Sequence, residues 1–320
     1  MNIEMIKAAA ARLAPVVRRT PMVNSPFLDE MAGRRVLVKA ENLQHTGSFK
    51  FRGGWSALSG MPEAQRANGV FAYSSGNHAQ GVAMAAAKFG VPAVILMPQD
   101  SPSLKIANTK ALGAEVVTYD RLRDSREEIG ARLAAERGLT LVKPYDEPLV
   151  IAGQGTVGLE IVEQAMAEGV GNADVLIPCG GGGLTSGISI ALEGSGLRAR
   201  TCEPEGFDDT ARSLLSGKRE VNATQGGSIC DAIVTNSPGE ITFPIMLKNC
   251  GSGLVVSDTE AMKAVALAYQ RLKIVLEPGG AVALAAALFH GEEINGDAVI
   301  VVATGGNVDT DVFMRCLETL

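Results

Sequence analysis

Short apolar runs alternate with helical stretches along nearly the whole chain, and this alternation limits the fold more than any other feature. The strand candidates are residues 36–39, 70–73, 93–97, 115–118, 139–142, 175–177, 199–202 and 299–302. Between them, stretches such as 79–89 and 121–137 place apolar residues every three or four positions, the period of a helix. Strands that alternate with helices build parallel sheets covered by helices, an α/β fold. Such sheets collect ligands just beyond the carboxyl ends of their strands. The 320 residues suit about two domains of ~150 each. Residues 69–146, with three or four strand–helix units in succession, are expected to form a small domain. It would be inserted into a larger one made of 1–68 and 147–320. Pro144-Tyr145-Asp146-Glu147-Pro148 has the turn composition of a boundary.

Composition removes several classes of function. The net charge of −6 and an aromatic content of 4% argue against a nucleic-acid partner, which needs a basic face and stacking rings. Five cysteines without a Cys-x-x-Cys pair offer neither zinc spacing nor a disulfide framework. They read as small buried residues in a reducing compartment. The N-terminal Met1-Asn2-Ile3-Glu4-Met5-Ile6-Lys7 lacks the apolar core of a signal peptide. No apolar run reaches the ~18 residues of a membrane span. A cytoplasmic protein is expected.

Four segments at strand ends carry chemistry. In Ser48-Phe49-Lys50-Phe51-Arg52-Gly53-Gly54, Ser48 is placed to cap a helix and Lys50 falls in its first turn. A cation is disfavoured at the positive end of a helix dipole. With two phenylalanines beside it, the Lys50 ammonium is destabilised, as a Schiff-base lysine requires, because only the neutral amine attacks a carbonyl. Ser74-Ser75-Gly76-Asn77-His78 runs from the strand at 70–73 into a helix, and its hydroxyls and backbone N–H groups suit an anion. Gly180-Gly181-Gly182-Gly183 after the strand at 175–177 has no packing purpose in a regular element and suits a phosphate cradle. Thr304-Gly305-Gly306-Asn307 ends the last strand. A dinucleotide fingerprint would need a third glycine where Thr185 or Ser186 stands, although Glu203 lies at the spacing of a ribose-binding acid. A nucleotide-binding oxidoreductase is therefore the remote alternative.

Together, in this order and spanning essentially the whole chain, these four segments resemble the pyridoxal-phosphate enzymes of the tryptophan-synthase β fold (fold type II). Within that group the chain is most similar to serine/threonine dehydratases and serine racemase. The resemblance implies a two-domain α/β enzyme, each domain a mostly parallel twisted sheet flanked by helices, and usually a homodimer. It implies that Lys50 holds pyridoxal 5'-phosphate as a Schiff base and later moves the substrate's Cα proton. Phe49 would lie against the pyridine ring, Asn77 would meet the phenolic oxygen, and Thr304 would meet the ring nitrogen. Gly180, Gly181, Gly182 and Gly183 would hold the phosphate, and Ser75, Gly76, Asn77 and His78 the substrate carboxylate.

A neutral hydroxyl at the ring nitrogen makes a weaker electron sink than a carboxylate partner would, which favours loss of a β-hydroxyl over a long-lived carbanion. The implied reaction is dehydration then deamination of a small β-hydroxy-L-amino acid, threonine or serine, to a 2-oxo acid and ammonia. One alternative is 3-hydroxyaspartate dehydratase, for which Gln154, Arg52 or another cation near the side-chain pocket would be decisive. The other is serine racemase, for which Ser75 would serve as the proton donor opposite Lys50. By the same resemblance, Glu203, the Phe207 carbonyl and Asp209 would ligate Mg²⁺ or Ca²⁺, and Glu277 would stand near the cofactor.

Overall fold

The computed structural model describes residues 1–74, 76–101, 103–120, 123–224 and 226–320, with the side chains of Ser103 and Leu104 outside that description. Among the described residues the strands are β1 (Met22–Val23), β2 (Arg35–Ala40), β3 (Val70–Tyr73), β4 (Ala93–Pro98), β5 (Glu115–Tyr119), β6 (Thr140–Leu141), β7 (Ala173–Pro178), β8 (Leu197–Pro204), β9 (Leu254–Val256) and β10 (Ala298–Ala303). The helices are α1 (Ile3–Leu13), α2 (Pro26–Ala32), α3 (Lys50–Gly60), α4 (Glu63–Ala67), α5 (Asn77–Phe89), α6 (Ser103–Ala111), α7 (Arg126–Arg137), α8 (Pro148–Ala167), α9 (Gly183–Ala191), α10 (Asp209–Ser216), α11 (Thr242–Asn249), α12 (Asp258–Leu267), α13 (Pro278–Phe289) and α14 (Thr310–Leu317). A six-stranded sheet runs β1-β2-β10-β7-β8-β9 and a four-stranded sheet runs β5-β4-β3-β6. All pairings are parallel except β1 with β2. β1 and β9, two and three residues long, are too short to show a period in the sequence.

The apolar runs become strands because both faces of each sheet are covered, as parallel sheets require. Along β10, Val299 and Val301 face a core shared with α12 and α13. Ile300 and Val302 face the other way, onto Val157 and Ile161 of α8 and Ile188 of α9. In the smaller sheet, Val70, Ala72, Ile95 and Met97 pack on α3 and α5, while Phe71, Val94 and Leu96 pack towards Leu133 of α7. α13 is apolar all round and buried from Pro278 to Leu288, the pattern of a helix enclosed by protein.

Two local expectations are corrected. The helical stretch expected from residue 121 starts at Arg126, because Ser125 caps it by accepting the Glu128 N–H at 3.2 Å. Arg121 and Leu122 lie outside the described residues. Ser48 does not cap α3. Its backbone is extended and bridges to Gly305, so Phe49 takes the capping position without a side-chain acceptor. No helix among the described residues is long and apolar enough to cross a membrane.

Candidate active site

The carboxyl ends of strands from both sheets converge on one cavity of about 580 Å³. β3, β4 and β5 of the smaller sheet feed it through the starts of α5, α6 and α7. β7 and β10 feed it from the larger sheet, through the glycine turn and Thr304.

The glycine turn joins β7 to α9. Gly182 holds φ +86°, in the left-handed region that glycine enters freely, and a Cβ there would stand 2.5 Å from the Met246 Cε. A Cβ on Gly181 would run into the Tyr145 ring. Among the described residues, none accepts a hydrogen bond from the backbone N–H groups of Gly180, Gly181, Gly182 or Gly183. Those donors, at the positive end of α9, are open to an anion.

Lys50 begins α3. Its Nζ donates to the Pro144 carbonyl at 3.1 Å and lies 5.0 Å from the centre of the Phe49 ring. Burial pulls its pKa down to about 8, against the opposing attraction of Glu277. Asn77, at the start of α5, donates Nδ2 to Glu277 Oε1 at 2.6 Å and accepts at Oδ1 from Asn307 Nδ2 at 2.6 Å. Asn307 also donates to the Thr46 carbonyl at 2.8 Å. This chain of bonds fixes the Asn77 amide and leaves its second N–H for a ligand. Glu277 itself is pushed up to about 7 by burial, with the Asn77 hydrogen bond opposing.

His78 turns inward. Its Nε2 lies 2.8 Å from the Val142 carbonyl, and burial together with the Lys50 charge lowers its pKa to about 3. The ring is therefore neutral, with Nε2 engaged by the Val142 carbonyl. Gly76 caps that helix, and its own N–H is held by Ser74 Oγ at 3.2 Å. Ser75 lies outside the described residues. Thr304 lines the cavity, and its carbonyl receives the Phe49 N–H at 3.2 Å, tying β10 to the start of α3.

The outer wall carries groups that the sequence analysis passed over. Arg126 opens α7, lies over the Tyr73 ring at 5.7 Å and pairs with Glu127 at 2.8 Å. Lys105, in the first turn of α6, pairs with Asp231 at 3.5 Å. Tyr119 and Tyr145 complete this wall. Gln154 Oε1 is buried without a partner, while its Nε2 donates to the Pro144 carbonyl at 3.3 Å. Arg52 points away from the cavity. It is fully buried and bonded to Glu41 at 2.8 Å and Glu160 at 2.7 Å, so it cannot reach a substrate.

A model of the pyridoxal-phosphate dependent enzymes matches residues 13–305. The chain belongs to this family. It is 43% identical to an L-threo-3-hydroxyaspartate ammonia-lyase of a Pseudomonas sp, over 98% of each chain. It is 38% identical to a serine racemase of Schizosaccharomyces pombe, over 98% of this chain and 96% of the relative. The crystal structure of a threonine deaminase from T.th. superposes with a TM-score of 0.91 at 42% identity, covering 97% of this chain and 99% of that one. The fold is accordingly that of the fold type II pyridoxal-phosphate enzymes. The cavity fits the cofactor: it pairs open N–H donors at the start of α9 with a lysine amine of lowered pKa.

Glu203, Phe207 and Asp209 line no part of this cavity. Glu203 accepts the N–H groups of Thr210 at 2.9 Å and Ala211 at 2.7 Å, at the start of α10. Asp209 Oδ1 accepts from Asn222 at 2.6 Å, and its Oδ2 is buried without a partner.

Proposed function

We propose that this protein is a pyridoxal-phosphate-dependent ammonia-lyase that converts a small β-hydroxy-L-amino acid to a 2-oxo acid and ammonia. The observation that carries the reading is one cavity with a buried lysine amine and two separate helix starts, at α9 and α5, each able to hold one anion. Bound there, the cofactor supplies an electron sink that acidifies the substrate Cα–H.

The chain's residues do the rest. The N–H groups of Gly180, Gly181, Gly182 and Gly183 hold the phosphate, with Phe49 against the ring, Asn77 Nδ2 on its phenolic oxygen and the Thr304 hydroxyl at its nitrogen. The start of α5, from Ser75 and Gly76 to the Asn77 and His78 N–H groups, receives the substrate carboxylate. Lys50 binds the cofactor and, once freed, takes the Cα proton at Nζ.

Among β-hydroxy amino acids, the outer wall favours one with a second carboxylate. Among the described residues, Arg126 and Lys105 are the cations it offers to a side chain, and Gln154 Oε1 can accept from a β-hydroxyl. Glu203, the Phe207 carbonyl and Asp209 are proposed to bind Mg²⁺ or Ca²⁺. They are hard oxygen donors, and Asp209 Oδ2 lacks a partner. A homodimer is also proposed. Phe27, Met31, Tyr269 and Met314 are exposed apolar side chains, with Phe27 under Arg271 and Tyr269 against Phe313.

The test is 2-oxo acid release from L-serine, L-threonine and both diastereomers of 3-hydroxyaspartate, with Mg²⁺ and with EDTA. Fastest release from a 3-hydroxyaspartate is expected, with a loss of rate or stability in EDTA. No oxo acid from any substrate overturns the lyase, and D-serine in the same tubes would mark a racemase.

A further inference from the structure

The glycine turn needs its backbone aimed, and what aims it lies outside the cavity. The Gly181 carbonyl accepts two hydrogen bonds from the segment behind it, from Thr242 Oγ1 at 2.6 Å and from the Gly239 N–H at 3.2 Å. A peptide group is planar and trans, so the Gly181 C=O and the Gly182 N–H point in opposite directions. Holding that oxygen against α11 therefore points the Gly182 N–H the other way.

The start of the anchoring segment is itself capped by an acidic side chain. Asp146 lies in the link between β6 and α8, with φ +54°, a left-handed conformation that aspartate and asparagine tolerate better than other side chains. In that conformation its Oδ1 accepts the N–H of Ile241 at 2.6 Å and of Thr242 at 3.3 Å. The fit is close, because a Cβ on Gly239 would collide with Asp146 Oδ1. The neighbouring Tyr145 ring covers Gly181. Ser186 Oγ, in α9, donates to the Thr242 carbonyl at 3.1 Å and ties the same segment to the helix that follows the turn.

We infer that Asp146 is a positioning residue for the phosphate end of the cofactor. It caps the 241–242 backbone, which holds the Gly181 carbonyl, which orients the Gly182 N–H. The inference rests on the reading of Gly180–Gly183 as the phosphate seat. It assigns Asp146 no contact with the cofactor and no share in the proton transfers.

The experiment compares dissociation constants of pyridoxal phosphate and of pyridoxal, which lacks the phosphate, from cofactor-free protein. Both ligands can react with Lys50, so their ratio isolates the phosphate. Asp146→Gly keeps the left-handed turn and removes the acceptor, and Asp146→Asn keeps both. Asp146→Gly is expected to weaken pyridoxal phosphate roughly tenfold, with pyridoxal little changed. Asp146→Asn should stay within about twofold of the parent chain. Thr242→Val, which removes only the hydroxyl bond to Gly181, should shift the ratio the same way, and it carries the test if Asp146→Gly does not fold. An unchanged ratio in the folded variants overturns the role of Asp146 while leaving the phosphate seat intact. A parent chain that binds both ligands equally overturns the phosphate seat itself, and the inference with it.

Discussion

Lys50 is pulled in two directions. Burial disfavours its ammonium, and Glu277 favours it; burial wins, bringing the pKa from 10.5 to about 8. A lowered pKa means the neutral amine is populated above pH 8 rather than only in strong alkali. Capture of pyridoxal phosphate by cofactor-free protein, followed by stopped-flow absorbance, should therefore rise with pH to a plateau whose midpoint lies near 8. Glu277→Gln removes the group that favours the charged form, so the midpoint should move lower still. A midpoint near 10.5 in the parent chain would show that the amine is not desolvated. Lys50 was legible in the sequence because a cation in the first turn of a helix after a strand contradicts the helix dipole. The same anomaly marks Lys105 in α6 and Arg126 in α7, but a helix start placed at 121 hides it in α7. The inward turn of His78 was hidden, since it depends on Val142, remote in sequence.

α9 carries the glycine turn, so its seating decides where the turn lies. It packs on α8 almost backbone to backbone. A Cβ on Gly187 would stand 2.5 Å from the Ile151 carbonyl oxygen and 2.6 Å from the Gly155 Cα. Neither α8 nor α9 can retreat, because each is buried against the larger sheet. Gly187→Ala should cost about 1–3 kcal/mol of stability in urea unfolding, the range for overpacking a close contact. Gly171→Ala, where a Cβ meets nothing within 4 Å, should stay within about 0.5 kcal/mol of the parent chain. Equal stability of the two variants would mean that the helices separate freely. Apolar periods are read over 79–89 and 121–137, not over α8 or α9. They could not reveal that Gly155 and Gly187 face each other, because that depends on how two helices cross.

At the scale of the whole molecule, each sheet presents one side of the cavity. The six-stranded sheet contributes the glycine turn and Thr304, and the four-stranded sheet contributes the α5 start, Lys105 and Arg126. The proposed division into 69–146 and the remainder would place this cavity at the junction of two lobes. Strand–helix alternation made the parallel sheets and their ligand-binding ends legible. It carried no information on which strand ends of one sheet face those of the other, so the outer wall stayed unread.

That wall is proposed to choose the substrate's side chain. Arg126 places its guanidinium 5.7 Å from the centre of the Tyr73 ring with Nε bonded to Glu127, and a guanidinium can meet a carboxylate through two parallel hydrogen bonds. Arg126→Ala should lower kcat/KM for 3-hydroxyaspartate by about 10- to 100-fold, the loss of charged hydrogen bonds worth ~1.5–3 kcal/mol. L-Threonine places a methyl group there and should change far less. Arg126→Lys should recover only part of the loss, because an ammonium keeps the charge without the fork. The measurement is 2-oxo acid release from both substrates by the three proteins. Equal losses on both would place Arg126 in the general architecture of the cavity. A loss confined to the dicarboxylic substrate would make the four-stranded sheet the part that chooses the side chain, with the chemistry held on the other.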